Sequence, residues 1–281
     1  MNNALTKPFS VYLDIVRFIA AMLVMFYHSN LKPLTAEMAA PFSGYGHSSV
    51  IIFFVLSGFV IAFVTDTKEK LFKDYAVSRM ARIYSVAIPV MLITPFLDLA
   101  GEAMNPAFYE DRTTHDLWYI RQVSSLLFLN EIWFVSIMSF SNVPYWSLCY
   151  EVWYYVIFAA MTFLKGTKKR LAILVVCLLV GPKILLLFPL WYLGVLLYRN
   201  QSLRNLNKVQ GWLIWLTSLL AIYLFHKWNL QFYFADHLKA IIGAHWYEQL
   251  TFSKYFISDY ILAPLIAANF VGGRAIVKDI E

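Results

Sequence analysis

Apolar residues run through this chain in long stretches separated by short polar breaks. Stretches at about 11–29, 48–65, 83–100 and 144–164 reach or approach the roughly 20 residues that a helix needs to cross a bilayer. A closely spaced pair follows at about 171–182 and 184–198, broken by Gly181, Pro182 and Lys183. Two more lie at about 211–226 and 256–271. The alternating pattern of a membrane-spanning barrel is absent. The pattern predicts an all-α polytopic membrane protein of about eight transmembrane segments. The first stretch is a full span with no small-residue cleavage site before a polar mature chain, so it reads as a retained helix and not as a cleaved signal. No internal repeat and no long linker interrupts the chain, which is read as a single transmembrane domain over 1–281.

Composition agrees with this pattern. Of 281 residues, 60% are hydrophobic and 14% charged, where a soluble chain carries about 25% charge. Mean hydropathy is +0.60. The 18% aromatic content suits interfacial belts and packing. Cys149 and Cys177 both fall in predicted spans and read as packing residues, not as a disulfide or a metal pair. The net charge of +6 reads first as a topology signal and not as nucleic-acid binding, so the bilayer and not nucleic acid is the expected partner.

The basic residues set the orientation. Three Lys and two Arg lie in 67–82, and Lys165, Lys168, Lys169 and Arg170 lie in 165–170. Arg199, Arg204 and Lys208 follow, and the tail carries Arg274 and Lys278, whereas 101–116 is acidic with Glu102, Glu110, Asp111 and Asp116. Placing the basic loops in the cytoplasm puts both termini inside, in a multi-pass plasma (inner) membrane protein. The stretch 117–139 then cannot cross once. It must be re-entrant or a tight hairpin, and it contains Arg121, Asn130 and Glu131, which a lipid-facing span avoids.

The first span carries the most informative polar residues. Arg17 and His28 are eleven positions apart, about 20° after whole turns, so they share one helical face about 16 Å apart along the axis. Asp14, three residues before Arg17, joins that face. An Asp–Arg pair near the start of a span is on its own a common interfacial anchor, and a His at its outer end is on its own a solvated side chain. All three on one face mark a functional stripe. Glu151, about two turns into the span that Pro144 opens, is a carboxylate among Trp153, Tyr154 and Tyr155 that needs a partner. Arg79 and Arg82, with Lys73 nearby, offer forks for phosphate or else a topology anchor. Ser57 and Gly58 permit close helix approach. Ser147 lacks the Gly-x-Ser-x-Gly elbow of a nucleophile. The remaining histidines, His47, His115, His226, His237 and His245, show no metal spacing, and no metal is expected.

Taken in order, four features resemble the membrane-bound acyltransferase 3 family. They are LDIVRFIAAMLVMFYH with Arg17 and His28, FFVLSGF, the Arg-x-x-Arg of Arg79 and Arg82, and WSLCYE ending at Glu151. PLWYLGVLLYR at 189–199 is similar to a later Gly-containing span of that family. The resemblance implies transfer of an acyl group, most often acetyl, from cytoplasmic acetyl-CoA to a hydroxyl of a cell-surface or secreted glycan or a lipid-linked sugar. It implies His28 as the catalytic residue and Arg79 and Arg82 as the residues that meet the CoA phosphates. On that basis His28 reads as a base or a transient acyl carrier, Arg17, Asp14 and Glu151 as supporting residues, and Lys73 as a further cation beside the arginines. The family continues through a Ser-Tyr-rich segment and one or two more spans, whereas this chain stops about ten residues after its last span, so a compact or truncated member is expected. Two rival classes remain at this point. A transporter or flippase of a glycan or lipid-linked sugar would line its path with the same stripe, and an inactive truncated member would serve as a scaffold.

Overall fold

The computed structural model describes residues 5–30, 38–109, 116–278 and 280. The acidic residues Glu110 and Asp111, and His115, lie outside the described residues. Among the described residues the secondary structure is entirely helical. Helices form at all eight predicted positions: α1 (Lys7–Ser29), α2 (Gly46–Thr67), α3 (Phe72–Met104), α5 (Tyr145–Phe163), α6 (Gly166–Val180), α7 (Pro182–Arg199), α8 (Lys208–Lys227) and α10 (Phe256–Ile276). Between them stand, besides short helical turns of six residues or fewer, α4 (Trp118–Leu126) and α9 (Leu230–Ile242). Among the described residues, six helices are long and apolar enough to cross a membrane: α1, α2, α3, α7, α8 and α10 with the turn before it. The chain is thus a multi-pass membrane protein.

Local chemistry sets the helix ends. Thr6 caps α1 by accepting the Phe9 amide at 3.4 Å, with Pro8 in the first turn. Asn207 and Gln210 form a reciprocal capping box at the start of α8. Gly181 separates α6 from α7 with φ +77°, a left-handed conformation that a side chain resists. A Cβ there would also overlap the Trp133 backbone and ring, so this break needs glycine on two counts.

The chain divides into two compact units. The first holds Met1–Lys68, Leu187–Glu248 and Lys254–Glu281. Its α1 and α2 run antiparallel, because Phe9 meets Phe59 edge-on at 5.8 Å while Tyr27 packs on the backbone of Gly46. Tyr12 donates to Asn269 Oδ1 on α10 at 2.5 Å and accepts from Trp215 Nε1 on α8 at 3.1 Å. Asn269 Nδ2 donates in turn to Ser218 at 3.2 Å. The close approach expected at Ser57 and Gly58 is present. A Cβ on Gly58 would overlap the carbonyl of Trp191 on α7, one on Gly194 of α7 would overlap the carbonyl of Val55, and Trp191 Nε1 donates to Ser57 at 3.1 Å.

The second unit holds Glu69–Leu186 and Gln249–Ser253. Its α3 buries Tyr75, Arg79, Ile83, Ala87 and Met91, one residue every turn. The segment 117–139 contains no crossing helix. The nine residues of α4 span about 14 Å, and irregular chain follows as far as α5. Its Ser125, Asn130, Glu131 and Ser139 are enclosed by protein, as polar groups of such a segment require. Glu131 is 1% exposed and its Oε2 accepts from Lys183 Nζ at 2.8 Å; Lys183 is 0% exposed. Lys183 also donates to the Val135 carbonyl at 2.6 Å and to Thr251 at 3.2 Å, and Glu131 Oε1 accepts from Ser136 at 2.7 Å. Asp98 on α3 binds the same loop, accepting from the Ser141 amide at 2.8 Å and its hydroxyl at 2.7 Å.

Candidate active site

In the first unit, the predicted stripe lies along α1. Arg17 Nη1 donates to Asp14 Oδ1 at 2.6 Å, and both side chains are exposed enough to be solvated, 38% and 60%. The buried residues of α1 are Phe9, Leu13 and Ala20. Their stripe and that of Arg17 and His28 are about 70° apart around the helix, so the polar residues flank the packed seam and do not enter it. His28 stands in the last turn, its ring edge-on to Tyr27 at 4.9 Å. Among the described residues no carboxylate meets its imidazole. Asp14, half the helix away, pairs with Arg17.

The His28 end of this unit gathers other polar groups that sequence reasoning left aside. Tyr27, next to His28, packs on Gly46, and His47 follows directly. His47 Nε2 lies 3.0 Å from both carboxylate oxygens of Asp259 on α10, whose side chain is 1% exposed. The Tyr255 ring stands edge-on to His47 at 4.9 Å. The ring of Tyr45 lies 4.4 Å from that of His226, near the end of α8. His47 and Asp259 are 212 positions apart, and no local spacing signals their meeting. The usable hint was an Asp and a His each set at the end of an apolar stretch.

In the second unit, Arg79 and Glu151 come together through one tyrosine. Arg79 Nη2 donates to Glu69 Oε1 at 2.7 Å, with both side chains under 10% exposed. Its guanidinium stands over the rings of Tyr75 at 5.5 Å and Tyr155 at 5.9 Å. The Tyr155 hydroxyl donates to Glu151 Oε1, and Tyr75 donates to the Tyr155 carbonyl at 3.0 Å. This gives the carboxylate the partner its setting demands. Arg79 Nε and Glu69 Oε2 remain buried without a hydrogen bond among the described residues. An apolar cavity of about 650 Å³ opens beside them, lined by Tyr75, Arg79, Phe128, Val152, Tyr155 and Ala159 among others.

The two arginines of the Arg-x-x-Arg therefore differ. Arg79 lies in the every-fourth-residue buried stripe of α3, whereas Arg82 sits one position off it and is exposed, as is Lys73. Cys149 and Cys177 are free thiols, and Cys149 donates to the Phe128 carbonyl at 3.1 Å. Among the described residues no three His, Cys, Asp or Glu side chains converge as metal ligands.

A family model described as an acyltransferase domain matches residues 10–274. The chain is 27% identical over 240 residues to an O-acetyl transferase of Shigella phage Sf6, covering 77% of this chain and 69% of that protein. No solved structure matches it. With all but the two ends of the chain inside the match, this protein belongs to the acyltransferase 3 family and is a membrane-bound O-acyltransferase.

Proposed function

We propose that the protein transfers an acetyl group from cytoplasmic acetyl-CoA to a hydroxyl of a cell-surface or secreted glycan, or of the lipid-linked sugar that precedes it. The observation that carries this reading is the Arg17–His28 face of α1, an accessible imidazole and an arginine on one helix of an acyltransferase. In this reading His28 takes the proton of the acceptor hydroxyl as its oxygen attacks the thioester carbonyl. The C–S bond breaks, and the CoA thiolate leaves and is protonated. Arg17, about 16 Å along the helix from His28, stands toward the donor side, with Asp14 holding the guanidinium in place.

The donor phosphates belong in this reading to the α3 end of the second unit. Arg82 and Lys73 are exposed there, and Arg79 Nε is a buried donor without an acceptor among the described residues. The apolar cavity beside Arg79 suits the uncharged part of a thioester donor. Glu151 orients Tyr155 and through it the wall of that cavity. The protein sits in the inner membrane with both termini in the cytoplasm, so the Arg17 end of α1 faces the donor and the His28 end faces the acceptor.

Incubating membranes that contain the protein with radiolabelled acetyl-CoA tests the reading. Label should enter base-labile esters on membrane glycan. A protein that moves glycan without incorporating label would be a transporter, and the acyl-transfer reading would be withdrawn.

A further inference from the structure

A second cavity lies wholly within the first unit, at the His28 end. It measures about 350 Å³, near the lower bound of small-ligand sites. Its lining is mixed: the rings of Tyr45, Tyr223 and Phe232 stand among His226, Asn229 and Gln231. Lys227 also reaches it, with its ammonium 5.8 Å from the Tyr223 ring. Among the described residues no carboxylate lines it. The turn between α8 and α9 builds one wall, where Asn229 holds a left-handed φ of +49°, a conformation that Asn tolerates.

One of its polar atoms lacks a partner. His226 Nε2 is buried and makes no hydrogen bond among the described residues. Gln231, 8% exposed, lines the same wall. Burying an unpaired ring nitrogen is unfavourable, so a fold that keeps one at a cavity wall suits a ligand that supplies the bond. The ring of Phe232 also touches Tyr255 at 6.1 Å, and Tyr255 touches His47, so the wall is continuous with the His47–Asp259 pair.

We infer that this cavity is a carbohydrate-binding site that holds the acceptor sugar; its assignment as acceptor site rests on the acyl-transfer reading above. Aromatic faces take the C–H faces of a sugar ring, and amide and imidazole groups match hydroxyls, which both donate and accept. A lipid tail would leave His226 Nε2 unpaired. The site stands at the same end of the unit as His28, because Tyr45, Gly46 and Tyr27 join the two.

The test places a photoreactive side chain in the cavity, Phe232→p-benzoylphenylalanine, and a control, Leu216→p-benzoylphenylalanine, on the exposed middle of α8. Membranes of the host are irradiated with their own glycans as the probe, and the protein band is stained for carbohydrate. The same membranes are assayed for acetyl transfer by the parent protein. A carbohydrate adduct is expected at 232 and not at 216, and Gln231→Leu should weaken it by about tenfold, the worth of one neutral hydrogen bond. That second change keeps a side chain of similar size and removes only the amide. Absence of an adduct at 232 in membranes where the parent transfers acetyl groups would overturn the site alone, as would equal adducts at both positions. An adduct at 232 without acetyl transfer would keep the carbohydrate site and overturn the acyl-transfer reading.

Discussion

The two units carry their charges in opposite ways. On α1 the Asp14–Arg17 pair is exposed, and His28 stands free of any carboxylate among the described residues. In the second unit the Arg79–Glu69 and Lys183–Glu131 pairs have almost the same bond lengths but are enclosed. Equal geometry does not mean equal energy. An exposed ion pair contributes about 0–1 kcal/mol. Removing one member of an enclosed pair strands the other and costs about 3–5 kcal/mol. Charges on α1 are therefore nearly free of structural duty, and their replacement reports on chemistry. Charges inside the second unit hold the fold as well as any ligand.

The sharpest way to break this contrast is His28→Gln. Acetyl transfer should fall by about 10²–10⁴-fold, the usual contribution of a general base, while thermal stability stays at the parent value. Transfer near the parent rate by folded His28→Gln protein would end the catalytic assignment. Lys183→Met should do the reverse and lower stability by about 3–5 kcal/mol, read as a denaturation midpoint in detergent. Adding Glu131→Leu should recover most of the loss, because no charge is then left stranded. If the double variant is no better than the single one, the pair does not act as a unit.

The arginines of α3 separate along the same line. Arg82→Gln should raise the acetyl-CoA requirement by about tenfold or more, the value of one charge-assisted bond, with no change in stability. Arg79→Gln should also destabilise, since it strands Glu69. Equal stability for the two variants would contradict the burial difference between them. The smallest effect is expected from Asp14→Asn. The exposed (i, i+3) pair is worth about 0.2–0.5 kcal/mol, so stability should barely move, and any larger loss of transfer would assign Asp14 to the reaction.

The spans were legible because a bilayer demands long apolar runs, and α1, α2, α8 and α10 stand where those runs are. The shared face of Arg17 and His28 followed from helical periodicity alone. The helix α9 was missed because it is short and mixes Asp236, His237 and Lys239 with apolar residues, so it answers to amphipathic spacing and not to bilayer length. The early start of α3 was missed for a related reason. Its first turns carry Lys73, Asp74 and Arg79, and helix formation does not require apolarity. The burial of Arg79 but not Arg82 was readable from the fourfold spacing Tyr75, Arg79, Ile83, Ala87, Met91. The meetings of Lys183 with Glu131, 52 positions apart, and of His47 with Asp259 are products of tertiary packing that no local pattern encodes.

The length of α3 has a consequence for the lipids around the protein. Its 33 residues extend about 50 Å, against a hydrocarbon thickness of about 30 Å. The apolar run begins only near Ile83, so Arg79 and Arg82 ride on the part of the helix that emerges from the hydrocarbon. Their height above the bilayer is set by how deeply that run is drawn in. A thicker membrane pulls the arginines toward the headgroups, and a thinner one lifts them clear or tilts the helix. With the donor held as proposed, reconstitution in phosphatidylcholines of increasing chain length should shift the dependence on acetyl-CoA while leaving the response to acceptor unchanged.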